Sequence, residues 1–145
     1  MNFIDFIIII KYNHSTGIYK MKDKKLDEIL TVNNLKEKVK SFCHEREWDQ
    51  FHNAKDLIIA MIIEVGELLE IFRWKNINET EEVFKNPDKL EKVKDEVADI
   101  LFFILRLAQK YEIDLSSSLL NKIEKNKIKY PVEKFKGSNK KYDEV

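Results

Sequence analysis

Two pairs of acidic side chains stand three residues apart in the two most apolar stretches of the chain: Glu64 with Glu67, and Glu96 with Asp99. A three-residue spacing puts both members of a pair on one helix face. The pairs are interleaved with Ile63, Val65, Leu68, Val97, Ile100 and Leu101, so they border core-facing surface. If the two helices pack antiparallel, the four carboxylates converge. Two like charges about 6 Å apart repel by roughly 3 kcal/mol at an effective dielectric near 20, so such a cluster calls for cations or protons. Oxygen-only ligands select hard cations, Mg²⁺ first and Mn²⁺ second. Mg²⁺ works with a few carboxylates plus substrate phosphates, which directs attention to a phosphate ester or anhydride. The bland alternative pairs the same acids with lysines on solvated faces. A di-iron bundle would want Glu-x-x-His, and none of His14, His44 and His52 lies three residues after a glutamate.

Other side chains fit the same chemistry. Trp48 and Trp74 flank the acidic segments, and aromatic faces stack on nucleobases with little regard to their identity; the alternative is that both are core tryptophans. Lys122, Asn126 and Lys129 fall on nearby faces of one later helix, where the two lysines offer cations and the asparagine a neutral amide to a phosphate chain. Their alternative is ordinary surface solvation. His52 reads as a half-buried anchor and Cys43 as an inert thiol. There is no Gly-rich phosphate loop: Gly66 sits alone inside a helix, where it would let another helix come close.

These residues need rigid carriers, and the composition supplies helices. The chain has 145 residues, 43% hydrophobic and 36% charged, which suits one packed domain. Only 3 Gly and 2 Pro are present, too few for a many-turned β fold. Lys+Arg and Asp+Glu both number 26, so no overall charge draws the protein to a nucleic-acid polymer or a lipid surface. The spacing predicts helices from Thr31, with Leu35, Val39 and Phe42 on one face; from Asn53 to Arg73; from Asn86-Pro87 onward; and between Asp114 and Tyr130. The run Phe3–Ile10 is too short to span a membrane and has no partner strand in sight. Residues 1–30 therefore read as a non-core extension, 31–130 as the helical domain and 131–145 as a tail. Leu57–Ile63 and Ile100–Leu105 are apolar on every side, which four helices in one small chain cannot cover; self-association is the expected remedy.

The segments WDQFH (Trp48–His52), EVGELLEIFRW (Glu64–Trp74), DEVADILFF (Asp95–Phe103) and KIEKNKIKYP (Lys122–Pro131) together resemble the MazG-like all-α nucleotide pyrophosphatases, most nearly their dCTP pyrophosphatase branch. The resemblance implies an all-α four-helix bundle assembling into a dimer or tetramer. It implies hydrolysis of nucleoside triphosphates at the α–β bond to a monophosphate and pyrophosphate. Carried over by motif, Glu64, Glu67, Glu96 and Asp99 hold Mg²⁺ and form the catalytic centre. Trp48, Trp74 and Phe103 border the base, and Lys122 and Asn126 reach phosphates or sugar with Lys129 and Tyr130 nearby. Animal members of the branch have a histidine where this chain has Val39, and tend to have Tyr at Phe103 and Arg at Lys129. Those departures remove polar groups near the base, so a preference for pyrimidine deoxynucleotides such as dCTP is expected to be broader here.

The expectation is thus a cytoplasmic, Mg²⁺-dependent nucleotide pyrophosphatase. Two rivals use the same residues: a phosphohydrolase that releases orthophosphate, and a non-enzymatic helical oligomerisation module holding structural cations.

Overall fold

Each long helix begins at a side chain able to satisfy backbone N–H groups that the first turn leaves unpaired. In the computed structural model, which describes residues 11–13, 18–20 and 25–143, helix α1 spans Val32–His44. Thr31 Oγ1 accepts from Asn34 N at 3.1 Å, while Thr31 N donates back to Asn34 Oδ1 at 2.9 Å. Helix α2, Ala54–Phe72, is capped by Asn53, whose side chain accepts from Asp56 N. Helix α3, Ile77–Lys85, opens on a reciprocal Asn76–Glu79 capping box. Helix α4, Pro87–Lys110, combines the Asn86 cap with proline in its first turn. Helix α5, Leu115–Lys129, starts at Asp114, and the short α6, Val132–Phe135, follows Pro131. The four long helices are those the spacing predicts; α3 is not among them, although Asn76 and Glu79 carry its signature.

The chain divides into two compact units, residues 1–35 and 36–145. In the first, β1 (Lys11–Asn13) pairs antiparallel with β2 (Ile18–Lys20), Tyr12 opposite Tyr19. This small hairpin is not part of the helical pattern read above. Its Tyr and Ile content is what a strand favours. The run Phe3–Ile10 lies outside the described residues.

In the second unit α2 packs along α4 as the most extensive contact, and α3 also packs on α4. The Tyr111 hydroxyl, just past the end of α4, accepts from Ala54 N at the start of α2 at 2.8 Å, so the two helices run antiparallel. Leu57, Val83, Val93, Leu105 and Ala108 form the buried core, joined by Val39 and Cys43 from α1. Cys43, one turn after Val39, takes the inward place expected for Phe42, whose ring is left partly exposed. Lys36 Nζ donates to Ile113 O at 3.1 Å and ties α1 to the α4–α5 connection.

Among the described residues, two surfaces stay exposed. The face of α2 opposite α4 exposes Ile58, Ile59, Ile62, Ile63 and Leu69, and helix α5 buries no residue at all, with Ile128 82% exposed. Gly66 lies on that outer face of α2, and a Cβ there would meet nothing within 4 Å. Within one chain it therefore mediates no close helix approach, contrary to the sequence-based expectation. Among the described residues, no helix is long and apolar enough to cross a membrane.

Candidate active site

Antiparallel packing of α2 on α4 brings carboxylates that are distant in sequence to one place. Glu64 on α2 and Glu96 and Asp99 on α4 each offer an oxygen within 4.8 Å of the others. Glu64 and Glu96 are half-buried and Asp99 is exposed. Partial burial, then the charges of Glu67 and Asp99, push the Glu64 carboxyl above its ordinary range. Glu96 is raised in the same way, with Asp95 adding a smaller repulsion. Glu67 is exposed one turn along α2, outside the three-oxygen cluster but close enough to act on both glutamates.

The donor set suits a hard divalent cation. All three ligand atoms are oxygens, and oxygens around an octahedral ion at about 2.1 Å stand roughly 3–4 Å apart, which small side-chain rotations would achieve here. A cation would also relieve the repulsion that raises Glu64 and Glu96. The arrangement fits such an ion on chemistry and spacing.

Beside the cluster opens a cleft of about 510 Å³ lined by Lys38, Val39, Phe42, Trp48, Glu64, Asp99, Phe102 and Phe103. Its aromatic rings meet edge to face in succession. Trp48 and Phe42 are 5.7 Å apart at 77°, Phe42 and Phe102 5.8 Å at 85°, and Phe102 and Phe103 5.5 Å at 86°. That geometry suits the ring quadrupoles and leaves an apolar aromatic wall next to acidic oxygens. The cleft thus sets aromatic rings beside the carboxylate oxygens of Glu64 and Asp99.

Of the residues expected to bind substrate, the cleft collects Trp48 and Phe103. Trp74 does not line it: it follows the end of α2 in the left-handed region, at φ 64°, with its side chain 91% exposed. A tryptophan at φ > 0 is strained, because that position normally falls to glycine. Lys122, Asn126, Lys129 and Tyr130 lie on or just after α5 and do not line the cleft either. Lys129 instead stands 4.7 Å from the Tyr142 ring, and Tyr130 packs against Phe135 and Tyr142. Conversely, Lys38, Phe42 and Phe102 line the cleft without having been singled out as binding residues. Phe102 was within reach, because it follows Asp99 by three residues and so shares its helix face.

The helical unit gathers carboxylates beside an aromatic cleft, an arrangement that comparison with known proteins places in a family. Residues 59–145 match the MazG-like family. The chain is 32% identical over 115 residues to dCTP pyrophosphatase 1 of Mus musculus, covering 79% of this chain and 68% of that protein, and 34% identical to the Bos taurus counterpart over the same shares. A solved pyrophosphatase from Archaeoglobus fulgidus superposes with a TM-score of 0.62 at 33% identity, covering 77% of this chain and 99% of that one. The chain belongs to the MazG-like family. It is a nucleotide pyrophosphatase, a hydrolase acting on acid anhydrides.

Proposed function

We propose that the protein hydrolyses (d)NTPs at the α–β bond to a nucleoside monophosphate and pyrophosphate, with Mg²⁺ as its natural metal and Mn²⁺ as a substitute. The preferred substrates are pyrimidine deoxynucleotides such as dCTP, and the role is sanitation of the cytoplasmic nucleotide pool. One observation carries this reading: Glu64 and Asp99 belong both to the carboxylate group and to the wall of the aromatic cleft. The kinship to dCTP pyrophosphatase 1 supports the choice of base.

Glu64, Glu96 and Asp99 would hold the metal, which when bound would offset triphosphate charge and lower the pKa of a water. Glu67 adds a fourth carboxylate, as a ligand or as the base that takes the water's proton. Water adds to the α-phosphorus, the bond to the bridging oxygen breaks, and the electron pair leaves with pyrophosphate. Charge grows on that leaving group, so a cation such as Lys38 at the cleft counts most in the transition state. Trp48, Phe42 and Phe103 receive the base by stacking and edge contacts. Val39 and Phe103 offer no side-chain hydrogen bond, so discrimination among bases is modest.

The working enzyme is a homodimer or homotetramer built on residues 31–130. The exposed isoleucines of α2 and the unburied α5 support this, because apolar surface of that extent is normally covered. In that assembly α5 brings Lys122, Asn126, Lys129 and Tyr130, and the exposed Trp74, to a substrate held by a neighbouring copy.

The test is phosphate release from a panel of triphosphates, with and without added inorganic pyrophosphatase. Phosphate that appears only with the coupling enzyme is the expected result. Phosphate without it means orthophosphate release instead, and none in either arm means a non-enzymatic module.

A further inference from the structure

Arg106, on α4, is 1% exposed and is the one buried charged residue among those described. Every bond it makes outside its own helix goes to the short stretch that carries Trp48. Its Nη2 pairs with Asp49 Oδ1, and its Nε donates to His52 Nδ1 at 3.1 Å. The remaining Nη1 is steadied by Gln109 Oε1, one turn along α4. Next to it, Lys110 Nζ donates to the Asp49 carbonyl at 2.8 Å. Two consecutive ends of α4's last turns therefore grip one five-residue segment.

The segment's other side-chain contacts are the exposed His44–Asp49 pair, the Gln50 bond to the Glu47 carbonyl and the ring contacts of Trp48. Trp48–Gln50 is a single 3₁₀ turn entered through Glu47 at φ 54°, a left-handed position for a non-glycine residue. Phe51 is exposed and Trp48 is partly so, and the edge contact of Trp48 with Phe42 leaves its angle to be set by the rest of the turn. Burying an arginine is poor value for stability alone, since a packed aliphatic residue of similar size generally does as well. What the arginine adds is direction: its planar fork holds Asp49 and His52 at fixed angles. The His52 ring in turn stands 6.1 Å from Trp48 at 69°, and Phe42 meets Trp48 from the cleft side.

We propose that Arg106 is a positioning residue that clamps the 48–52 segment onto α4 and so sets the angle of Trp48 in the cleft wall. The functional half of this rests on the reading that Trp48 receives the base. Arginine only donates, so His52 Nδ1 must be bare and the imidazole neutral, its proton on Nε2. Asp49 and Lys110 complete the charged groups facing that ring, with His44 3.5 Å from Asp49 on the outer side.

The decisive variant is Arg106→Leu. The Asp49 side chain it orphans is half-exposed and can turn to water, so the fold should survive; Arg106→Lys, which keeps charge but lacks the fork, serves as the second variant. In a Trp74→Phe background Trp48 is the sole tryptophan, and its acrylamide quenching reports its setting without any substrate. Quenching should rise about twofold in Arg106→Leu and less in Arg106→Lys. With dCTP, KM should rise roughly tenfold with kcat nearly unchanged, the size expected from weakened stacking. In a Trp48→Ala background, Arg106→Leu should add no further change in KM. Unchanged quenching in both variants, or a KM effect that persists without Trp48, would overturn the proposal. If the wild-type protein hydrolyses no triphosphate, the function proposed above falls, and the quenching result still decides whether Arg106 sets Trp48.

Discussion

Helices α4 and α5 are made alike: each opens on an Asn or Asp cap, mixes lysines with aliphatic residues, and closes with lysine in its last turn. Yet α4 buries Val93, Leu105, Arg106 and Ala108, while α5 buries nothing. The difference follows from partners. Helix α4 has α2 and α3 against it, and its carboxylates meet Glu64 inside the same chain. Most aliphatic residues of α5, like the outer isoleucines of α2, stay exposed among the described residues. One chain thus brings acidic and aromatic groups together. In the proposed assembly, the basic residues of α5 would reach the cleft from a second copy.

The largest effect should come from the acidic groups. Glu96→Gln is expected to lower kcat/KM on the order of 10²–10³-fold, as removing a group that stabilises developing charge does, measured by pyrophosphate release at saturating Mg²⁺. Lys122→Ala should cost less, about tenfold, if a second copy brings Lys122 to the phosphates as proposed. A larger loss for Lys122→Ala than for Glu96→Gln would invert the comparison.

Assembly can be probed at Gly66. On a solvent-facing helix, Gly66→Ala should stabilise by roughly 0.5–1 kcal/mol. If the outer face of α2 packs on a second copy, the added methyl crowds the contact instead. We expect a lower melting temperature and a weaker oligomer by light scattering; a more stable variant with unchanged mass would leave that face free.

The pH dependence separates the acidic cluster from the Arg106 clamp. Glu64 and Glu96 are raised in the folded chain, so the stability from their protonation is fully present below the ordinary carboxylate pKa and is lost as pH rises through their folded values. Without metal, Glu96→Gln should therefore melt higher than the wild type near pH 7, and the gap should close toward about pH 4.5. His52 runs the other way: burial, then Arg106 and Lys110, lower its pKa, so stability falls as pH drops below the ordinary histidine value near 6.5. That slope between about pH 6.5 and 5 should flatten in His52→Gln. It is the smallest effect expected, and thermal unfolding across that window measures it.

Local signals were legible in the sequence and long-range ones were not. Thr31, Asn53, Asn86 and Asp114 announce their helices because capping is settled within three residues. The three-residue spacing likewise announced the acidic pairs, and antiparallel packing was enough to bring Glu64 to Glu96 and Asp99. The α3 box at Asn76 and Glu79 was as local as the others, but its helix of nine residues is short on apolar pattern. Cys43 and Phe42 both follow Val39 within one turn, and only the neighbouring helices decide which turns inward. Arg106 was the least legible: its ionic partner Asp49 lies 57 residues away, and no spacing rule links them.

The central claim is that Glu64, Glu96 and Asp99 hold a divalent cation at the rim of the aromatic cleft. A crystal grown with Mn²⁺ and a non-hydrolysable α,β-linked dCTP analogue, measured at a wavelength where manganese scatters anomalously, tests it directly. We predict an anomalous peak among those three carboxylates and the triphosphate, with the base against Trp48. An analogue bound without any peak there, or with manganese held elsewhere on the chain, would contradict the account.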